Sequence, residues 1–186
     1  NPQGYCTPGA SARERQLLAV ARRALGAGNR LVHAAIRCPE LEDFRRGRRE
    51  NIDHWLQIQL IGSKGKFQRL EMSREAFLSG MATTSPRVNS AELNRRLQAS
   101  LAHGTVSLSQ MHVAPIGRDG NAVYFALRMQ LNTAEDARLV TGISAITRLN
   151  ALPLSINVYE GTGAAASRGQ LQGVQHALLN SLLTEN

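Results

Sequence analysis

The sequence predicts an α+β fold: an antiparallel sheet, built on a C-terminal four-strand meander and packed by N-terminal, central and C-terminal helices. Three observations predict it. Apolar residues recur at three- and four-residue spacing at both ends of the chain and in its middle. After Gly104 the period changes to two and holds through four stretches with short connections, the pattern of neighbouring antiparallel strands. No period of 20–50 residues recurs, and no linker is long enough to separate a pair of domains. Residues 1–10 are therefore expected as an extended tail and 11–186 as a single α+β domain, a two- or three-layer sandwich.

Each element follows from its residues. The tail holds Pro2, Gly4, Pro8 and Gly9. From Ser11 the spacing turns helical: Leu17, Leu18, Ala21, Ala24 and Leu25 share a face, and Gly26 and Gly28 end it. Residues 31–38 are short, apolar and rich in Val and Ile, as a buried strand would be. Pro39-Glu40-Leu41-Glu42-Asp43-Phe44 reads as one or two helical turns, with Pro first and acids where the helix dipole favours them. Residues 52–61 alternate, with His54, Leu56, Ile58 and Leu60 on one face and Asp53, Trp55, Gln57 and Gln59 on the other. That pattern predicts a half-buried strand.

After the loop Gly62-Ser63-Lys64-Gly65-Lys66, residues 73–81 carry Ala76, Phe77, Leu78 and Met81 on a short helix. Asn89 and Glu92 make a capping-box start for a second central helix, with Leu93, Leu97 and Leu101 as its stripe and Gly104 as its stop. The four strands then follow. Val106, Leu108, Met111 and Val113 mark the first, and Gly117-Arg118-Asp119-Gly120-Asn121 is turn chemistry. Val123, Phe125, Leu127, Met129 and Leu131 alternate against Tyr124, Ala126, Arg128 and Gln130 in the second. Residues 138–149 and 153–159 are the last two, joined at Asn150-Ala151. A small-residue loop over 161–169 leads to a closing helix over 170–183, striped by Leu171, Val174, Leu178 and Leu182.

The 186 residues suffice for one core that buries about 70% of the unfolded surface. An apolar fraction of 42% excludes a disordered chain, and no apolar run approaches the roughly 18 residues of a membrane-spanning helix. The net charge of +8 comes from 22 basic side chains, of which only Lys64 and Lys66 are lysines. Arginine suits bidentate contacts to carboxylate or phosphate. The charge points to an acidic partner without choosing among nucleic acid, an anionic membrane face and a polyanionic glycan. Cys6 and Cys38 fit no zinc or CxxC spacing. They are either a disulfide tying the tail to the first strand or unpaired buried thiols. A cysteine so near a flexible end has more reason to tether that end than to fill a core. The start, Asn1-Pro2-Gln3-Gly4-Tyr5-Cys6, is what signal-peptide removal or a trimmed chain would leave. The disulfide and a periplasmic or secreted location are therefore the expectation.

Thr141-Gly142-Ile143, the stretch Pro153-Leu154-Ser155-Ile156-Asn157-Val158-Tyr159 and the closing helix resemble small exported proteobacterial proteins of unknown function. Arg37-Cys38-Pro39-Glu40-Leu41 is similar to a Cys-x-x-Leu segment in the same proteins. The resemblance implies a PsbP-like α/β/α sandwich and an exported location. It transfers no catalytic residue.

The candidate anion-binding site is Arg45-Arg46-Gly47-Arg48-Arg49, with Lys64 and Lys66 beyond the next strand. Four arginines in five residues could clamp phosphates or a glycan carboxylate, or form a solvated turn balanced by Glu40, Glu42, Asp43 and Glu50. Only Phe44 and Trp55 lie nearby for stacking, which disfavours single-stranded nucleic acid. The 62–67 loop lacks Walker spacing, and no GxSxG is present. His33, His54, His103, His112 and His176 show no zinc spacing, so neither metal nor cofactor is implied. Cys38 activated by His54, with Asp53 or Glu50 behind, would make a thiol enzyme only if Cys38 were free. Thr162-Gly163 and Ser167-Arg168-Gly169 could hold an anion before the closing helix, or form a plain loop. The expected function is a periplasmic, non-enzymatic binding or interaction module whose partner is an anionic envelope component or another protein. A cytosolic nucleic-acid binder and a thiol-dependent enzyme are the alternatives.

Overall fold

The structure, a computed structural model, describes residues 1–25, 28–62, 66–84, 95, 107–132, 137–161 and 168–185. Along these the chain runs β1 (Tyr5–Cys6), α1 (Ala12–Arg23), β2 (Arg30–Arg37), α2 (Cys38–Arg45) and β3 (His54–Leu60). It continues through α3 (Arg74–Thr84), β4 (Ser107–Arg118), β5 (Val123–Asn132), β6 (Ala137–Leu149), β7 (Leu152–Gly161) and α4 (Arg168–Thr184). All seven strands join one sheet in the order β1-β2-β3-β7-β6-β5-β4, and every neighbouring pair is antiparallel. The expected meander is present as β4 to β7. Its last strand pairs with β3 over the full length of β3, from His54↔Glu160 to Leu60↔Leu154, and so joins the two halves of the chain. Two residues of the N-terminal tail, Tyr5 and Cys6, are drawn into the sheet as an edge strand.

Residues directly opposite each other in a ladder share a face, so the register divides the sheet. One face carries Leu56 and Ile58 of β3, Ile156 and Val158 of β7, and Ile143 and Ala145 of β6, beneath Leu171, Leu178 and Leu179 of α4. Leu56, Ile156 and Val158 have no exposed surface, and burying each contributes about 1.5–3 kcal/mol. On the other face Val123 and Phe125 pack against Leu78 of α3, while Tyr159 stacks on Trp55 with ring centroids 5.0 Å apart. Helices on both sides make three layers. The tight paired position Gly142↔Tyr159 needs its glycine, since a Cβ there would stand 2.7 Å from Tyr159 Cδ1 and 2.9 Å from the Val158 carbonyl oxygen.

Two strands differ from expectation. β3 is buried on both faces rather than half-buried: Gln57 and Gln59 are enclosed along with their cross-strand neighbours Asn157 and Ser155. β3 is an interior strand, and its polar face finds partners within the sheet. Gln59 Nε2 donates to Gln57 Oε1 at 3.1 Å, Ser155 Oγ donates to Asn157 Oδ1 at 3.0 Å, and Ser144 and Ser155 share a hydrogen bond at 3.2 Å. Conversely β2 is not a buried strand throughout. Only Ala35 and Ile36 are enclosed, and Val32, at the register shift between Leu31 and His33, is 55% exposed. A bulge beside a short edge strand turns that part of the ladder outward.

Local chemistry explains the ends of the elements. Ser11 caps α1 in a capping box with Glu14, whose carboxylate also accepts from Gly9 N at 2.9 Å and from Arg45 Nε at 2.8 Å. The Ser11 and Gly9 hydrogen bonds, against the opposing effect of burial, hold the Glu14 carboxyl down at about 2. A carboxyl depressed in the folded state stabilises above its unfolded pKa and loses that contribution as pH falls. Glu14→Ala should therefore cost about 1–2 kcal/mol at neutral pH, in the range of a lost cap. That cost should shrink as pH drops from about 4.5 towards 2. Urea melts of both proteins across that window test it, and a pH-independent difference would refute the assignment.

The β6–β7 turn places both Asn150 and Ala151 at positive φ, 48° and 65°, which is the requirement of a two-residue type I′ hairpin. Ala151 occupies a left-handed position at a cost that glycine avoids. Ala151→Gly should raise stability by about 0.5–1 kcal/mol, read as a rise of about 1–4 °C in Tm. A fall in Tm would mean that glycine's extra freedom when unfolded outweighs the relieved strain.

The closing helix buries Leu171, Gln175, Leu178 and Leu179 rather than the expected stripe of Leu171, Val174, Leu178 and Leu182, in which Val174 and Leu182 are half-buried. Position 175 is polar, and polarity hid this rotation of the buried face. Apart from Arg95, the second central helix over 89–104 lies outside the described residues, as do the start of the next strand at Val106, Lys64 and the 162–167 loop.

Candidate functional site

Cys6 and Cys38 form a disulfide, so Cys38 has no thiolate with which to attack a substrate. The bridge joins β1 to the first residue of α2, next to the pairing Tyr5↔Arg37 and the hydrogen bond from Cys38 N to the Gly4 carbonyl oxygen at 2.8 Å.

The arginine turn closes α2, and each of its four guanidinium groups meets a carboxylate of the protein. Arg45 pairs with Glu14, Arg46 with Glu42 one helical turn back, and Arg48 with Asp43. Arg49 stands 2.8 Å from Glu40 and 3.0 Å from Asp53. An external anion on this turn has to compete with those carboxylates. Lys66 is exposed, and among the described residues no contact joins it to the arginines.

Arg49 belongs to a more enclosed network at the end of β3. Glu40 Oε2 accepts from the backbone N–H of Asp53 at 2.8 Å and of His54 at 3.1 Å, while Glu40 Oε1 meets His54 Nδ1. The other ring nitrogen, His54 Nε2, is 3.5 Å from Glu160 Oε1 on β7. Asp53 also pairs with Arg138 of β6. Burial and the neighbouring Arg49 lower the pKa of Arg138, against the pull of Glu40. Tyr5, brought over this end by the disulfide-tied strand, has its hydroxyl pKa raised by burial; Arg37 counters this, and Glu40 and Glu160 add to it. With a carboxylate on each side and 13% of its side chain exposed, His54 is occupied internally.

The register extends this network into a continuous polar row. His54 lies opposite Glu160, Glu160 opposite Thr141, Thr141 opposite Arg128, and Arg128 opposite His112. The five side chains therefore share one face of five adjacent strands, spanning roughly 19 Å at strand spacing. At the His112–Arg128–Thr141 end the face opens into a cavity of about 340 Å³. One row further along the strands its floor is Ala114, Ala126 and Ile143, and Leu171 of α4 is also among its lining residues. Among the described residues, neither Arg128 nor His112 has a hydrogen-bond or ion-pair partner, and both are exposed. The cavity lining contains no carboxylate among the described residues.

No family model, curated protein or solved structure matches the chain.

Reading residues along the chain missed this cavity, because its polar side chains come from three strands and its floor from alanines. The signal available was Ala126 and Arg128 on the polar side of the clearest strand. Alanine is a poor strand former, and two of them opposite each other leave room rather than fill it.

Proposed function

We propose that this chain is an exported binding module that holds its ligand on the open area of the α4 face, at the end of the sheet formed by β4, β5 and β6. The observation that carries this reading is the cavity of about 340 Å³, in which Arg128 and His112, partnerless among the described residues, stand over an apolar floor. Concave sites with an apolar lining and a few convergent polar groups are where small molecules bind. Internal occupation of His54 by Glu40 and Glu160 favours binding over catalysis, and the ion pairs of the arginine turn favour the cavity over that turn. The disulfide supports an oxidising compartment such as the periplasm or the cell exterior. The resemblance to small exported proteobacterial proteins with a PsbP-like layout points the same way. Among the described residues, no helix is long and apolar enough to cross a membrane.

Amide chemical-shift mapping with small organic anions, cations, sugars and neutral amphiphiles tests the site. Responses should cluster on β4, β5 and β6 around Ala114, Ala126 and Thr141. Clustering on Arg45 to Arg49 would move the contact surface to the arginine turn, and silence with every class would overturn the reading. Thiol labelling of non-reduced protein from fractionated cells tests the compartment. Cys6 and Cys38 should take label only after reductant, in protein from the envelope or medium. Free labelling in cytosolic protein would remove the export proposal.

A further inference from the structure

Resting on that reading of the cavity, we propose that its ligand is a small amphipathic carboxylate, with the carboxylate on Arg128 and a short apolar body over Ala114 and Ala126 against Leu171. The rows of the sheet set this order. His112, Arg128 and Thr141 are consecutive cross-strand partners and form one edge of the cavity. Ala114, Ala126 and Ile143 are the next row on the same face, two residues along each strand, and form the floor. A bound molecule thus meets cationic and hydroxyl donors at one end and, among the described residues, apolar side chains at the other.

Charge selects the head group. Arginine is permanently cationic and presents a planar fork that matches the two oxygens of a carboxylate. In this chain the arginines of the α2 turn and Arg138 have spent that capacity on Glu14, Glu40, Glu42, Asp43 and Asp53. Arg128 has not. The acid of its row, Glu160, lies two strands away on β7, beyond Thr141, so the cavity itself offers a cation with no internal anion among the described residues. Thr141 adds a hydroxyl and His112 a ring nitrogen beside it, which suits an oxyanion with several acceptor sites.

Size selects the body. A volume of about 340 Å³ is at the small end of ligand pockets. The two alanines remove floor side chains where a β-branched or aromatic residue would fill the space, and Leu171 adds an apolar surface. A short acyl or single-ring acid fits this description, and a polymer does not.

Octanoate, octylammonium and acetate, titrated into the oxidised full chain with amide shifts as the readout, test the proposal. Octanoate should saturate, with shifts confined to β4, β5, β6 and the start of α4. Acetate should bind far more weakly, and octylammonium should not bind. Arg128→Gln should weaken octanoate about 10- to 100-fold, the loss of one charge-assisted hydrogen-bonding partner, whereas Arg46→Gln should leave it unchanged. Ala126→Phe, which fills the floor, should abolish binding, with its own amide spectrum reporting that the fold is intact. Octylammonium binding as tightly as octanoate, or indifference to Arg128→Gln, would overturn the carboxylate assignment while the cavity stands as a site. Acetate binding as tightly as octanoate would overturn the apolar body. No response to any of the three would overturn both this proposal and the cavity reading beneath it.

Discussion

Glu40→Ala is expected to destabilise the protein by about 3–5 kcal/mol, the cost of removing one partner from a buried charge network. The carboxylate accepts from two consecutive backbone N–H groups, those of Asp53 and His54, and meets His54 Nδ1 and Arg49 as well. Its side chain is 11% exposed, so water has little access to replace it. Truncation leaves a cationic guanidinium, an imidazole and two main-chain donors short of an acceptor at the point where β3 begins. Each buried donor left unpaired costs about 1–3 kcal/mol. Glu42, two residues on in the same helix, is the internal control: it pairs with Arg46, and both side chains are about half exposed. Glu42→Ala should cost less than about 1 kcal/mol, as solvent-exposed ion pairs do. Arg49→Ala in the Glu40→Ala background should cost less than in the wild type, because the two share the network. Urea unfolding of the wild type and these variants measures all of this. Equal costs for Glu40→Ala and Glu42→Ala would show that the network contributes no more than a surface pair.

The difference between those two glutamates is also the limit of what the sequence discloses. Glu40 and Glu42 sit in the same Pro-Glu-Leu-Glu-Asp run, and both read as acids placed to suit a helix N-terminus. Only the pairing of β3 with β7, more than ninety residues away in sequence, encloses one and leaves the other in solvent. Local pattern served well where a single period decides. The alternation of residues 123–131 located β5, Asn150-Ala151 marked the β6–β7 hairpin, and Ser11 marked the start of α1. It misled where burial is set by neighbours: Gln57 and Gln59 look like a wet face and are enclosed on an interior strand, where Asn157 and Ser155 stand opposite them and extend the same polar face. The arginine turn was legible as a charge cluster, and even its pairing of Arg46 with Glu42 follows from helical spacing. The polar row from His112 to His54 was not legible at all. Its members come from five strands, and a one-residue change of register in any ladder would break it.

Cys6→Ser with Cys38→Ser is expected to lower stability by about 3–4 kcal/mol. The bridge spans 32 residues, and in the chain-entropy account opening a loop of that length restores that much freedom to the unfolded chain. For a chain of this size the loss reads as a fall in Tm of roughly 6–16 °C. The reduced protein should also lose structure in a definite place. β1 is two residues long and pairs only through Tyr5↔Arg37 and Cys6↔Ile36, too little to hold an edge strand by itself. Its release withdraws the buried portion of Tyr5 from the end of the sheet where Glu40, His54 and Glu160 meet. Hydrogen exchange should therefore accelerate first at β1, then at the N-terminal ends of α2 and β3, while β5 and β6 at the centre of the meander stay protected. The cavity's nearest strand to the bridge, β6, is separated from β2 by β3 and β7, so ligand binding there should survive reduction at temperatures where the protein remains folded. Uniform exchange acceleration, or an unchanged Tm, would mean that the bridge does not hold β1. A binding loss that tracks reduction while β5 and β6 remain protected would mean that the polar row couples the two ends of the sheet.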